Sequence, residues 1–237
     1  MRRLVVTDES WLDIREGFLD AHEAGALFRR VLGETLWERR RVVLFGRPVE
    51  QPRLVGWFGS VPYRYSGLTL EPRQGPAWLA PLLAKVCGAT GVAFNHVLLN
   101  RYRDGNDGMG LHADDERELG LRPVVATLSL GATRAFVIRA RHEPIRLRLE
   151  PAAGTLLVMG GSCQRQLVHG VPKTRRAVTE RVSLTFRLVR PGTSGRRSRV
   201  APTQRSAGPA TARDVGTEEG SATVATECQN GARRSRN

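Results

Sequence analysis

Residues 94–115 read F-N-H-V-L-L-N-R-Y-R-D-G-N-D-G-M-G-L-H-A-D-D. An apolar run ends in Asn100 and Tyr102, a glycine-rich turn follows, and His112 and Asp114 stand two residues apart beyond it. On an extended backbone, side chains at i and i+2 point to the same face. An imidazole and a carboxylate so placed can reach one metal ion together. The pair alone is a weak pattern, since a surface loop with a stray His looks the same. Its weight comes from what surrounds it.

His169, in the run Q-L-V-H-G, is the natural third ligand. Two histidines and one aspartate form the facial triad of non-haem Fe(II) oxygenases, which leaves positions open for O2 and a co-substrate. Further on, R-V-S-L-T-F-R alternates as a strand does. Arg181, Ser183, Thr185 and Arg187 then share one face of it. A buried strand with arginine at both ends needs anions, because an unpaired buried charge is costly. A dicarboxylate co-substrate supplies two.

Working outward, the sequence predicts strands at 92–102, 124–130, 135–140, 145–149, 154–158, 167–169 and 180–189. Turn signals such as Gly131-Ala132 and Pro151 through Gly154 separate many of them. Two helices are expected on the N-terminal side. Asp20–Gly33 carries a capping-box pair, Asp20 and Glu23, an apolar stripe of Leu27, Phe28, Val31 and Leu32, and Gly33 as a stop. Ala77–Cys87 carries Pro81 as a local irregularity. Short strands with flanking helices suggest a mainly β, α+β fold, a two-sheet jelly roll. Between the helices, R-R-R-V-V-L-F-G-R-P reads as a basic strand or hairpin, and P-Y-R-Y-S-G-L-T-L places Tyr63 and Tyr65 together. From composition alone, Phe45 and Tyr65 read as core aromatics.

The 237 residues carry a formal charge of +14, with 37 Lys+Arg against 23 Asp+Glu. That balance favours a polyanionic partner such as nucleic acid and says nothing about fold. Only Lys85 and Lys173 are lysines. Arginine suits bidentate phosphate contacts, and a GC-rich genome explains the bias equally well. Cys87, Cys163 and Cys228 are scattered, with no zinc spacing or disulfide framework, so a reducing cytoplasm is expected. No signal peptide and no membrane span are read from the chain, and a monomer is expected. After Arg190, Ser, Thr, Gly, Ala, Pro and Arg dominate and periodic apolar residues vanish. The expected organisation is an N-terminal segment with a helix at 1–34, a nucleotide-recognition region and jelly-roll core at 35–190, and a disordered tail at 191–237. The tail either adds non-specific DNA affinity or is an inert extension.

N-x-Y at 100–102, H-x-D at 112–114, a distant His169 and R-x5-R at 181–187, in this order, resemble the AlkB family of Fe(II)/2-oxoglutarate dioxygenases. F-N-H-V-L-L-N-R-Y-R-D-G followed by H-A-D-D-E-R-E-L is closest to the animal DNA-repair branch, the AlkB homologue 2 and 3 type. The similarity runs from about Val42 to Val189. It implies the double-stranded β-helix fold and oxidative demethylation of N-alkylated bases in DNA, of the 1-methyladenine and 3-methylcytosine type. Fe(II), O2 and 2-oxoglutarate are consumed, and formaldehyde, succinate and CO2 are released. His112, Asp114 and His169 would hold the metal. Asn100, Tyr102, Arg181, Ser183, Thr185 and Arg187 would hold 2-oxoglutarate, Arg187 at the carboxylate near the metal and Arg181 at the distal one. Ser183 replaces an Asn frequent in the family, which puts one co-substrate hydrogen bond in doubt.

For the substrate, the resemblance places a hydrophobic finger at Leu44-Phe45, ahead of the Pro-Arg dipeptide that ends in Arg53, with Arg47 close by. A base must be extruded before it is modified, and an apolar wedge can fill the gap. Arg53 would contact a phosphate. Tyr65 would stack on the flipped base beside Tyr63, and Asp115 and Glu116 would accept hydrogen bonds from exocyclic amino groups. The alternatives are a same-fold oxygenase acting on RNA, a protein or a small molecule, and a non-catalytic nucleic-acid binding module.

Overall fold

The computed structural model describes residues 1–44, 47–65, 68–142 and 144–190, with only the backbone at 42–44, 48, 65 and 68. The expected tail lies outside the described residues, as do Phe45 and the side chains of Leu44 and Tyr65. In chain order the elements are β1 (Arg2–Thr7), β2 (Ser10–Arg15), α1 (Ala21–Glu34), β3 (Glu38–Leu44), β4 (Arg47–Gly59), β5 (Tyr63–Tyr65), β6 (Leu68–Leu70) and α2 (Leu79–Thr90). They continue with β7 (His96–Tyr102), β8 (Met109–His112), a 3-10 turn (Arg117–Leu119), β9 (Val125–Gly131), β10 (Phe136–Ala140), β11 (Arg146–Leu149), β12 (Leu156–Gly161), α3 (Cys163–Gln166), β13 (Leu167–Val171) and β14 (Arg181–Arg187).

An eight-stranded sheet runs β1-β2-β12-β9-β14-β7-β4-β3, and a four-stranded sheet runs β11-β10-β13-β8. All the pairings in both are antiparallel. Strand alternation sorts the side chains into two layers. Val182, Leu184 and Phe186 of β14 join Val97, Leu99, Leu128 and Val158 in a core that also takes Ala24 and Val31 of α1 and Leu82 and Val86 of α2. Residues of opposite parity, Leu157, Met159, Val125 and Tyr102, meet Phe136, Ile138, Leu167 and Val171 of the smaller sheet. A third cluster around Trp57, Tyr63, Leu98 and Val189 closes the β4 end.

The seven strands expected from Val92 onward all form, and α1 starts at its capping box, with Asp20 Oδ1 accepting from Glu23 N at 2.8 Å. Three expectations need correction. Gly33 does not stop α1, which ends one residue later with Thr35 as C-cap. Pro81 does not disturb α2, because it sits in the first turn, where its missing N–H has no partner to lose. Residues 1–34 hold more than a helix: β1 and β2 form a hairpin, and β2 pairs with β12 over Leu156–Gly161. The short, charged run M-R-R-L-V-V-T-D-E-S-W-L-D-I-R hid those strands.

The β3–β4 hairpin extends beyond the sheet. β7 pairs with β4 only over Leu54–Gly59, whereas β3 and β4 stay paired out to Leu44 and Arg47.

Candidate metal centre and co-substrate pocket

His112 closes β8 and His169 lies on β13, and the two are direct cross-strand partners. Their ring centroids stand 4.4 Å apart. Asp114, two residues past the strand end, points back at both: its Oδ1 is 3.9 Å from His112 Nε2 and its Oδ2 is 3.9 Å from His169 Nε2. Ligand atoms from the three residues fall within 4.8 Å of one another. His112 Nδ1 is 3.0 Å from the Gly110 carbonyl. Donation there fixes the tautomer and leaves Nε2 to face the metal. Phe136 stacks on His169 at 5.4 Å.

This approach of β8 to β13 depends on Gly170. A Cβ there would stand 2.7 Å from the Met109 carbonyl oxygen and 2.9 Å from that of Gly110. Both are backbone atoms of the strand carrying His112, so the strand itself would have to move. Gly170→Ala is expected to cost about 1–3 kcal/mol of stability and to weaken divalent-metal binding by about tenfold or more. Thermal melting with and without Co(II), together with a Co(II) titration, checks this. Unchanged metal affinity would mean that β8 can shift without disturbing the ligands.

Electrostatics prepares the triad for a cation. Burial, then neighbouring His112, holds the His169 imidazole down at about 3, and burial also lowers His112, so both rings are neutral at physiological pH with lone pairs available. Burial alone would raise the Asp114 carboxyl, but Arg187, His169 and His112 outweigh it and bring it to about 2. Arg187 Nη2 donates to Asp114 Oδ1 at 2.8 Å, with both side chains almost fully buried. Asp114 Oδ2 has no hydrogen-bond partner and faces the gap between the histidines. Neutral imidazoles and one ionised carboxylate with a spare oxygen fit Fe(II).

A small pocket opens beside the triad between the two sheets. Asn100 and Tyr102 of β7, Thr127 of β9, and Arg181, Ser183, Thr185 and Arg187 of β14 line it. All seven residues of β14 are buried, arginines included. Arg187 is anchored at the metal end by Asp114. At the other end Arg181, 1% exposed, donates from Nη2 to Ser129 Oγ at 3.0 Å, while Nε and Nη1 have no hydrogen-bond partner. Its guanidinium lies 5.3 Å from the Tyr102 ring centroid. Two open donors on a buried cation mark an anion subsite, which a carboxylate can fill. The pocket therefore suits a dicarboxylate lying between Arg181 and the metal.

Among the other expected site residues, Arg47 is exposed near the ribbon tip. Asp115 is exposed and lies 3.5 Å from Arg141. Glu116 is half-buried beside the Tyr63 hydroxyl, and burial pushes its carboxyl up. Two more are buried. Arg53 is 5% exposed and its Nε donates to Asn100 Oδ1 at 2.7 Å, so it braces the pocket wall. Tyr63 has no exposed surface; its ring packs edge-on against His96 at 4.8 Å, with the Arg187 guanidinium 5.7 Å away.

Sequence reasoning missed Ser129, Thr127 and Gln164. The first two had a signal, polar residues two apart inside the apolar strand V-A-T-L-S-L. Gln164, which accepts from Asp114 N at 2.9 Å, had none, because it lies fifty positions away in an unremarkable Q-R-Q.

Comparison with known proteins agrees with this geometry. The 2OG-Fe(II) oxygenase superfamily matches residues 12–187. The rat protein "Alpha-ketoglutarate-dependent dioxygenase alkB homolog 3" is 39% identical over 191 residues, covering 76% of this chain and 64% of the relative. The chain thus spans just under two thirds of that relative's length. Human "DNA oxidative demethylase ALKBH2" is 36% identical over 201 residues, covering 76% of this chain and 77% of the relative. Among solved structures, OsALKBH1 superposes with a TM-score of 0.58 at 16% identity, covering 78% of this chain and 99% of that one. A Burkholderia pseudomallei oxidoreductase of the 2OG-Fe(II) oxygenase family gives 0.51 at 18% identity, covering 74% and 84%. These two speak for the fold. With the metal triad, the R-x5-R strand and this extent of similarity in hand, the chain belongs to the 2OG-Fe(II) oxygenase superfamily and, within it, to the AlkB family.

Proposed function

We propose that this protein is an Fe(II)/2-oxoglutarate-dependent dioxygenase that removes methyl groups from N-alkylated bases in DNA. The observation that carries the reading is the pocket itself, where a three-residue metal centre stands next to a buried arginine with two open donors. His112, Asp114 and His169 would hold the iron. Arg181 takes the distal carboxylate of 2-oxoglutarate, with Tyr102, Ser183 and Thr185 along its length, and Asn100 completes the wall. Arg187 holds Asp114 in its ionised form and adds positive charge at the metal end. When bound, iron and 2-oxoglutarate would supply, with O2 as the oxidant, the oxidation of the N-methyl group, which would leave as formaldehyde with succinate and CO2 as co-products. The exposed Asp115 and the half-buried Glu116 would offer carboxyl groups to an exocyclic amino group. One chain supplies every ligand, which suits a monomer, and the free thiols of Cys87 and Cys163 suit a reducing cytoplasm. No helix among the described residues is long and apolar enough to cross a membrane.

DNA is favoured as substrate by the names of the similar ALKBH2 proteins, the +14 charge and the ribbon reaching past the sheet. Mass spectrometry of methylated oligonucleotides after incubation with Fe(II), ascorbate and 2-oxoglutarate tests the reading. The expected result is loss of the methyl group with stoichiometric succinate. Demethylation confined to RNA would move the substrate assignment, and no succinate with any substrate would leave a binding module.

The ribbon carries its own prediction. Unstacking a base from a duplex costs a few kcal/mol, and an apolar side chain in the gap offsets part of that. A single strand has less stacking to replace. Phe45→Ala is therefore expected to lower repair of duplex lesions about tenfold or more, while repair of single-stranded lesions and the melting temperature change little. Equal loss on both substrates with a lowered melting temperature would make Phe45 a packing residue.

A further inference from the structure

Asp114 lies beyond the end of β8, so no strand ladder holds its backbone. Its N–H is instead donated to Gln164 Oε1 at 2.9 Å, and Gln164 is 2% exposed. The other end of that amide, Nε2, lies 3.9 Å from Met159 Sδ, which orients Oε1 towards Asp114. Gln164 belongs to α3, the four-residue turn that leads into β13 and His169. The turn is itself pinned by the β1–β2 connection. Glu9 Oε2 accepts from Ser162 Oγ at 3.0 Å and Arg165 Nη2 at 2.9 Å, and the Glu9 carbonyl accepts from Ser162 N at 2.8 Å.

We infer that Gln164 is a positioning residue for the metal centre. Through the Asp114 backbone it sets where that carboxylate stands relative to His169, and the N-terminal hairpin, through Glu9, holds the turn that carries it. One short segment thereby sets two of the three ligands, His169 directly and Asp114 through Gln164. The inference rests on the triad being the metal site. Partners that orient metal ligands typically contribute 10–100-fold in metal affinity.

The test is Co(II) binding by isothermal titration to wild type and three variants, well below their melting temperatures. Gln164→Leu removes the acceptor at similar volume and is expected to weaken Co(II) binding about 10–100-fold. Gln164→Glu keeps an oxygen at the same reach and should restore most of the affinity. Met159→Leu keeps the packing and the acceptor and should bind nearly as wild type. Gln164→Leu also leaves the Asp114 N–H unsatisfied, so its melting temperature falls too, but a purely structural role would leave the affinity of the folded protein unchanged. Should Gln164→Leu not fold, Gln164→Asn, whose oxygen falls short of Asp114, takes its place with the same expected loss. Wild-type affinity in Gln164→Leu or Gln164→Asn, or equal loss in Gln164→Glu and Gln164→Leu, overturns the inference and leaves the triad standing. Failure of wild type itself to bind Co(II) would overturn the triad as well.

Discussion

His112→Ala and Asp114→Ala are both expected to reduce succinate release to background, yet to differ sharply in stability. From sequence alone the two look equivalent, each a ligand whose loss leaves the fold intact. The structure separates them. The His112 side chain is 25% exposed and its hydrogen bond is to one carbonyl of its own strand. Its removal should change the melting temperature by only a few degrees. Asp114 is 1% exposed and ion-paired at 2.8 Å with an Arg187 side chain that is 2% exposed. Removing one partner of a buried pair leaves an uncompensated charge, at a cost of about 3–5 kcal/mol. In a domain of this size that lowers the melting temperature by roughly 10 °C. Asp114→Asn, which keeps an acceptor for Arg187, should recover much of the stability and none of the turnover. Thermal melts beside succinate assays on the three variants check the argument. Turnover near wild type in His112→Ala would remove it from the ligand set, and equal melting temperatures for the two alanine variants would mean that Arg187 finds another partner at little cost.

Arg181→Met should show the opposite coupling, a large loss of co-substrate affinity with no loss of stability. Arg181 is fully buried, and burial pushes its pKa down, the mark of a desolvated cation. Its protein partner is a serine hydroxyl, with no carboxylate among its hydrogen-bond partners. Replacing such a charge by an apolar side chain of similar length is neutral to stabilising, by up to about 4 kcal/mol. Losing a buried, charge-assisted contact with the 2-oxoglutarate carboxylate costs about 2–5 kcal/mol, so KM for 2-oxoglutarate should rise on the order of 10²-fold or more. Titrating 2-oxoglutarate against succinate release, with melts in its absence, gives both readings. A wild-type KM would remove Arg181 from the co-substrate site. A marked fall in melting temperature would mean that its role is structural.

All the strands from His96 to Arg187 except β8 were legible because burial writes itself into local composition. β14 alternates arginine, serine and threonine with valine, leucine and phenylalanine, and period two is enough to place the polar set on one face. H-x-D likewise predicts two ligands on one face without knowledge of where that face looks. The N-terminal hairpin escaped notice because β1 lies at the sheet edge, where exposed positions need no apolar residue. Tertiary structure decided the rest. It alone set His169 opposite His112, since that pairing joins strands 57 positions apart with no local signal. It buried Arg53 and Tyr63, because a side chain's exposure depends on what packs over it. It also gave Arg187 to Asp114 while leaving Arg181 with open donors, a difference that two identical residues on one strand face cannot carry in their sequence. Residue type and spacing determined which groups this protein has for its chemistry, and only packing decided which of them are spent on each other and which remain for a ligand.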